Sequence, residues 1–183
     1  WFARAIMMPN GNICAHHANA GNFVATFFKP NGNSVSAYSA NICGYSDYYI
    51  NGYGKDISEM IVVDSNKVLF AHTSGSLQNQ MYFNLITDNN NGTATAGTAV
   101  NIASPSHQGS TVPSYPVFCE VKAKNPSGSV SIAVSNCGNL MSQTPPRWEY
   151  KKTILTFNFS GASPILTEAN TLISEAFTSD IFD

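Results

Sequence analysis

The sequence predicts an all-β chain built as three four-stranded antiparallel repeats. Three observations carry this reading. Short apolar runs are broken throughout by Asn-Gly, Pro-Asn and Ser-Gly turns, the punctuation of hairpins. No segment combines a 3.6-residue apolar period with helix caps; only Ser163–Phe177 admits a helical alternative. One pattern is also written three times, over Ile13–Ile42, Val68–Ile102 and, more loosely, Val130–Ile173. In the middle copy, VLFAH is followed by a polar turn, the alternating MYFNLIT, a DNNNG turn and a small-residue segment ending in Asn-Ile.

The elements follow in order. Phe2–Met8 is a strand stopped by Pro9-Asn10-Gly11, where Asn-Gly tolerates the positive φ of a tight turn. Ile13–His17, Phe23–Lys29 and Val35–Ile42 are the next three strands, with a turn closed by Pro30-Asn31-Gly32 before the last. Residues 1–43 thus form repeat 1. Residues 44–59 hold GYSDYYINGYGKD, too polar and glycine-rich for a core strand, and read as a long loop between repeats. Repeat 2 covers 60–102, with strands at Met60–Val63, Val68–His72, Gln80–Thr87 and Thr93–Ile102. A linker at 103–116 leads to repeat 3, 117–173. Its strands are Val117–Ala123, Val130–Val134, Trp148–Phe159 and Ile165–Ile173, with an insertion at 135–147. In the long strand, Leu155, Phe157 and Phe159 alternate with Ile154, Thr156 and Asn158, as a one-sided strand requires. Residues 174–183 are an acidic tail.

Composition narrows the partners. Of 183 residues only 11% are charged and the net charge is −2, against about 25% charged in an ordinary soluble domain. Asn, Ser, Thr and Gly take up the difference. No cluster of Lys and Arg is present to neutralise phosphates, which argues against nucleic acid. No run of about 18 apolar residues argues for a membrane span, and no signal peptide is evident. A chain that opens on Trp1 is expected to be a piece of a longer protein. Cys14, Cys43, Cys119 and Cys137 form no CxxC pair. Three disulfide pairings are open to them. Free buried thiols are the expectation, since Cys14 lies in an apolar run.

Few residues offer chemistry. His17 and His72 fall at the same place in their repeats, where repeat 3 has Val134. No acidic residue recurs beside them or His16, so a local hydrogen bond at a strand end is expected rather than a metal. Asp88-Asn89-Asn90-Asn91-Gly92 spaces oxygen ligands as a calcium loop does, but lacks the closing acid; a plain hairpin turn is expected. Cys14 and His16 share a strand face, yet mid-strand burial makes a poor nucleophile. No hydrolase, metalloprotease or nucleotide motif occurs, and the carboxylates form no recurring pair. An enzyme, a metal and a cofactor are therefore not expected. The best binding candidates are Tyr45, Tyr48, Tyr49 and Tyr53 in the loop, and Trp148 with Tyr150 beside Arg147. Aromatic faces suit sugar rings and their polar tips supply hydrogen bonds.

Repeats spaced by 55 residues (Ile13 to Val68) and 62 (Val68 to Val130), with four strands each, match propeller blades and not helical solenoids. The pattern resembles β-propeller repeat proteins, without their Trp-Asp, double-glycine or Asp-box signatures. The weakly charged, Asn/Gly/Ser/Thr-rich strands are also similar to bacteriophage tail-fibre and receptor-binding domains. Three blades do not close a ring, so the resemblance implies a homo-oligomer or larger assembly; two copies would supply six. A β-sandwich or jelly-roll subunit of a trimeric fibre is the architectural alternative. The expected function is non-enzymatic recognition of a glycan or surface receptor, outside the cell or on a virion surface. A purely structural virion or fibre subunit is the alternative, and a hydrolytic propeller the second.

Overall fold

The computed structural model describes residues 4–19, 22–44, 58–73, 80–103, 115–124, 128–140 and 147–178. Every regular element among them is a strand, and no helix there is long and apolar enough to cross a membrane. Sheet 1 holds β1 (Arg4–Met7), β2 (Ile13–Asn19), β3 (Asn22–Asn31) and β4 (Ser34–Gly44) in that order. Sheet 2 holds β5 (Ser58–Asp64), β6 (Lys67–Thr73), β7 (Gln80–Asp88) and β8 (Ala94–Ala96), with β9 (Val100–Ala103) also paired to β7. Sheet 3 holds β10 (Tyr115–Lys124), β11 (Val130–Leu140), β12 (Arg147–Asn158) and β13 (Ile165–Thr178). Neighbouring strands are antiparallel throughout.

The sheets stack face to face, with sheet 2 in the middle. Strand alternation decides which residues fill which layer. In β6, Val68 and Phe70 enter a core with Met8, Cys14, Ala25, Phe27 and Ala40 of sheet 1. Their neighbours Leu69 and Ala71 enter a second core with Val130, Ile132, Val134, Leu155, Phe157 and Phe159 of sheet 3. This explains why VLFA reads as an unbroken apolar run: a strand covered on both faces has no solvent side to leave polar. Each fully buried Phe or Leu of these layers contributes about 1.5–3 kcal/mol of apolar burial.

The tight turns lie at one end of the stack. Between β1 and β2, Gly11 N–H donates to Met8 O at 2.9 Å and Met8 N–H to Asn12 O at 2.8 Å. Pro9 and Asn10 fill the centre of that turn, and Gly11 follows at φ 84°. That is the three-residue hairpin whose last position needs the left-handed region, open to glycine at no steric cost. Lys67, beside the β5–β6 turn, donates from Nζ to Phe159 O beside the β12–β13 turn at 3.1 Å. Asn10 reaches Asp88 at the β7–β8 turn. The hairpin turns of all three sheets therefore share one end, called here the turn end. The connections β2–β3, β4–β5, β6–β7, β9–β10 and β11–β12 leave from the other.

Several strands differ from the sequence expectation. The fourth strand of sheet 2 is interrupted: Ala96 pairs Ile86 while Val100 pairs Phe83, so three residues on one strand face two on the other. Such an extra residue is a β-bulge. Gly97 sits in it, and a Cβ there would collide with the carbonyl oxygen of Ala162 in the β12–β13 turn. β11 runs on to Leu140 and β12 starts at Arg147, so only 141–146 separate them, where an insertion at 135–147 was expected. Pairing with a long neighbour keeps those polar residues in the ladder: Cys137 faces Tyr150 and Leu140 faces Arg147. β13 likewise continues to Thr178 opposite Arg147, which removes the helical alternative and takes in part of the tail. The turn after Pro30 is formed by Gly32 and Asn33, since Asn31 already pairs Ser34.

Candidate functional site

The densest polar arrangement among the described residues is a buried carboxylate between sheets 1 and 2. Asp88 ends β7, and its side chain is fully buried. Alternation from Ile86 turns it toward sheet 1, where Asn12 donates from Nδ2 to Oδ2 at 2.5 Å and Asn10 from Nδ2 at 3.0 Å. Tyr38 of β4 donates its hydroxyl to Oδ1 at 2.8 Å, as does the Asn90 N–H at 2.8 Å. Four donors fill the acceptor sites of one carboxylate. Asn66 completes the junction: its Nδ2 donates to Asp88 O at 2.7 Å and its O accepts from Asp88 N–H at 2.9 Å. Asp88 thus ties together both hairpin turns of sheet 2, the first turn of sheet 1 and β4.

Electrostatics follow from that geometry. Burial by itself raises the Asp88 pKa; the hydrogen bonds from Asn90 N–H, Tyr38, Asn12 and Asn10 outweigh it and hold the carboxyl below its ordinary value. Burial pushes the Tyr38 hydroxyl up to about 12, helped by its bond to Asp88 and the Asp88 charge. Cys14 is a buried free thiol, also pushed up to about 12, by burial first and Asp88 second. At neutral pH it carries no thiolate and is no nucleophile.

His16 lies on the same face of β2. It is 1% exposed and its ring stands 5.1 Å from that of Phe70, across in sheet 2. Burial, then the charges of Arg4 and His17, lower its pKa to about 4. His17 points the other way and bonds through Nε2 to Thr26 Oγ1 at 2.9 Å, the local strand-end hydrogen bond expected of it. The sequence pairs His17 with His72 by position. The structure makes their neighbour His16 the interior histidine. The clue was parity, since His16 shares the face of Cys14.

The DNNNG segment is a turn, as expected, but its first residue does more than turn the chain. No oxygen of the Asp88 carboxylate is left facing an open loop, because both accept from two donors. Among the described residues no group of three His, Cys, Asp or Glu stands ready to hold a metal ion. Sequence reasoning missed this junction because Tyr38, Asn12 and Asn10 lie 50–78 positions from Asp88. The only local signal is that Asn10 and Asn12 flank a turn glycine, as polar residues do in most hairpins.

The candidate binding aromatics fall elsewhere. Tyr45, Tyr48, Tyr49 and Tyr53 lie outside the described residues; their segment leaves β4 at Gly44 and rejoins the fold at Ser58. Trp148 and Tyr150 are in β12, opposite Phe177 and Glu175 of β13, with side chains outside the described set. Gly44, where the first segment leaves sheet 1, and Arg147, where β12 begins in sheet 3, are strand ends opposite the turn end. No protein-family model, curated protein or solved structure matches this chain.

Proposed function

We propose that this chain is a non-enzymatic recognition module of an extracellular or virion-surface assembly. It binds a glycan or surface receptor through the connection end of its stacked sheets. The observation that carries the reading is topological. Gly44, from which the segment with Tyr45, Tyr48, Tyr49 and Tyr53 departs, and Arg147, where the strand with Trp148 and Tyr150 begins, both lie at that end. The turn end is cross-tied by the Asp88 hydrogen bonds. A scaffold braced at one end and carrying its longer connections at the other is the usual division between frame and binding loops.

Each sheet is read as a propeller-like blade, because successive four-stranded units stack in chain order. Three such units leave two terminal faces, which two copies of the chain could close into six. A structural virion or fibre subunit is the second reading, favoured by the exposed apolar side chains Met7 and Val35 on the outer face of sheet 1 and Ile165 on that of sheet 3. Glycan-array binding tests the recognition reading. The wild-type chain should bind a defined glycan set, and the double variant Tyr48→Ala/Tyr49→Ala should lose at least tenfold in affinity. Binding that is absent in the wild type, or unchanged in the variant, sinks it.

A further inference from the structure

Four Asn-Gly dipeptides punctuate the chain, at Asn10-Gly11, Asn31-Gly32, Asn51-Gly52 and Asn91-Gly92. This dipeptide is prone to react with itself, because glycine has no side chain to keep its amide nitrogen from the neighbouring Asn Cγ. Asn51-Gly52 lies outside the described residues. The other three stand at hairpin turns, with the glycine at φ 84°, 59° and 84° in chain order. A Cβ on any of these glycines would meet no atom within 4 Å. In local sequence and backbone the three are alike; their surroundings differ.

Asn10 is held on every side. Its Nδ2 donates to Asp88 Oδ2 at 3.0 Å and to Asn90 Oδ1 at 3.1 Å. Its Oδ1 accepts from Asn12 N–H at 3.1 Å, and Gly11 N–H donates to Met8 O at 2.9 Å. Neither group can move without opening the contact between sheets 1 and 2. Asn91 is exposed, but its Oδ1 accepts from Thr93 N–H at 3.1 Å and from Thr93 Oγ1 at 2.6 Å. Asn31 has no such restraint. Among the described residues no hydrogen bond holds its side chain, and none engages Gly32 N–H. Its pair with Ser34 is the last of the β3–β4 ladder, and Pro30 beside it has no N–H to add. Every residue from Lys29 to Ala37 is exposed, so this hairpin tip projects from the stack and no described residue buries it.

We infer that Asn31-Gly32 is a self-modification site, at which the projecting tip deamidates while the Asp88 junction protects Asn10-Gly11. The step needs only water. Gly32 N loses its proton to hydroxide and attacks Asn31 Cγ. The N–Cγ bond forms, the Cγ–Nδ2 bond breaks, and Nδ2 leaves as ammonia with a proton taken from water. Water then opens the cyclic imide at either carbonyl. Opening at Cγ leaves aspartate; opening at the Asn31 backbone carbonyl leaves isoaspartate, with an extra main-chain carbon. Both products put a negative charge on the tip. Isoaspartate also lengthens the chain at a two-residue loop, Gly32 and Asn33, whose length sets the strand register. The tip therefore unpairs while the buried part of sheet 1 stays in place. The inference goes beyond the proposed function and is independent of ligand binding.

Site-resolved peptide mass mapping tests it, on the full chain held folded in mildly alkaline buffer. Amide-to-acid conversion should appear first at Asn31. It should run about tenfold or more ahead of Asn10, the ratio expected where even one hydrogen bond to a charged group must first open. In urea that gap should close, because the reacting dipeptide is the same. In Asn31→Gln, whose longer side chain cyclises far more slowly, the tip peptide should stay unmodified. Conversion at Asn10 or Asn91 as fast as at Asn31 in the folded chain overturns the inference, as does a folded chain that keeps the Asn31 amide. A gap that persists in urea overturns protection by the junction. A tip peptide that still gains an acid in Asn31→Gln moves the reaction to Asn33 and overturns the assigned site.

Discussion

The two layers between the three sheets both have apolar cores but are closed differently toward the turn end. Between sheets 2 and 3, Phe83 and Phe157 meet with ring centroids 4.9 Å apart, and Phe159 stacks beyond at 6.4 Å. Between sheets 1 and 2, the position matching Phe159, two residues past Ile86 as Phe159 is past Phe157, belongs to Asp88. The position matching Tyr38, opposite Leu85 as Tyr38 is opposite Phe27, belongs to Gly97. One layer is sealed by apolar volume and a backbone approach that tolerates no Cβ. The other is keyed by a buried carboxylate with four donors. Apolar packing is non-directional, whereas a saturated carboxylate accepts one arrangement of its partners. The first layer therefore supplies stability with little orientational demand, and the second fixes how sheet 1 sits on sheet 2.

The sharpest way to break the comparison is through the apolar layer. Phe157→Ala empties a fully buried site against Phe83, and should lower unfolding free energy by about 3–5 kcal/mol in urea titration. A loss below about 1 kcal/mol would mean that this layer is not packed as described.

Next comes Asp88→Asn, which keeps the shape but removes the charge and turns one acceptor into a donor, facing either Asn10 and Asn12 or Tyr38 and the Asn90 N–H. Stranding those donors should cost about 2–4 kcal/mol. The matching apolar position should respond differently: Phe159→Leu keeps an apolar filler and should cost under about 1.5 kcal/mol. Similar costs for both would erase the distinction between a keyed layer and a filled one.

The smallest effect is pH dependence. With a folded pKa of about 4 against the ordinary 6.5, His16 binds fewer protons in the native state than in the unfolded chain. Its contribution is whole above about pH 6.5, declines as the pH falls toward 4, and is gone below. That is roughly 2–3 kcal/mol over the window. Asp88, held below its ordinary value, contributes above the carboxylate range and loses that contribution at still lower pH. Arg4 and His17 on sheet 1 and Asp88 on sheet 2 are the described charged groups that act on this cluster; His72 stands two residues past Phe70 in β6 with its side chain outside the description. Urea midpoints of the wild type should fall between pH 7 and 4, and His16→Gln should flatten that slope. An unchanged slope in His16→Gln would assign the acid sensitivity to other groups.

Much of this fold was legible residue by residue. Asn10-Gly11 marked a turn because few residues accept positive φ. Leu155, Phe157 and Phe159 marked a buried face because strand periodicity is two. VLFA marked a strand because it is a short apolar run between turns; that both its faces are covered is seen only in the stacked sheets. Those rules are local, and the order of neighbouring residues carries them. Pairing is not local. The length of β11 and β13 depended on each having a long neighbour to complete its ladder, so their polar ends read as an insertion and a tail. Asp88 looked like one more turn residue because its partners are contributed by another sheet. Gly97 looked like a flexible small residue until Ala162 stood against it. The chain by itself determined strands and turns, because those follow from dihedral preference and alternation. Tertiary structure decided which apolar faces are covered and which polar group is buried, because burial is set by what another segment places opposite.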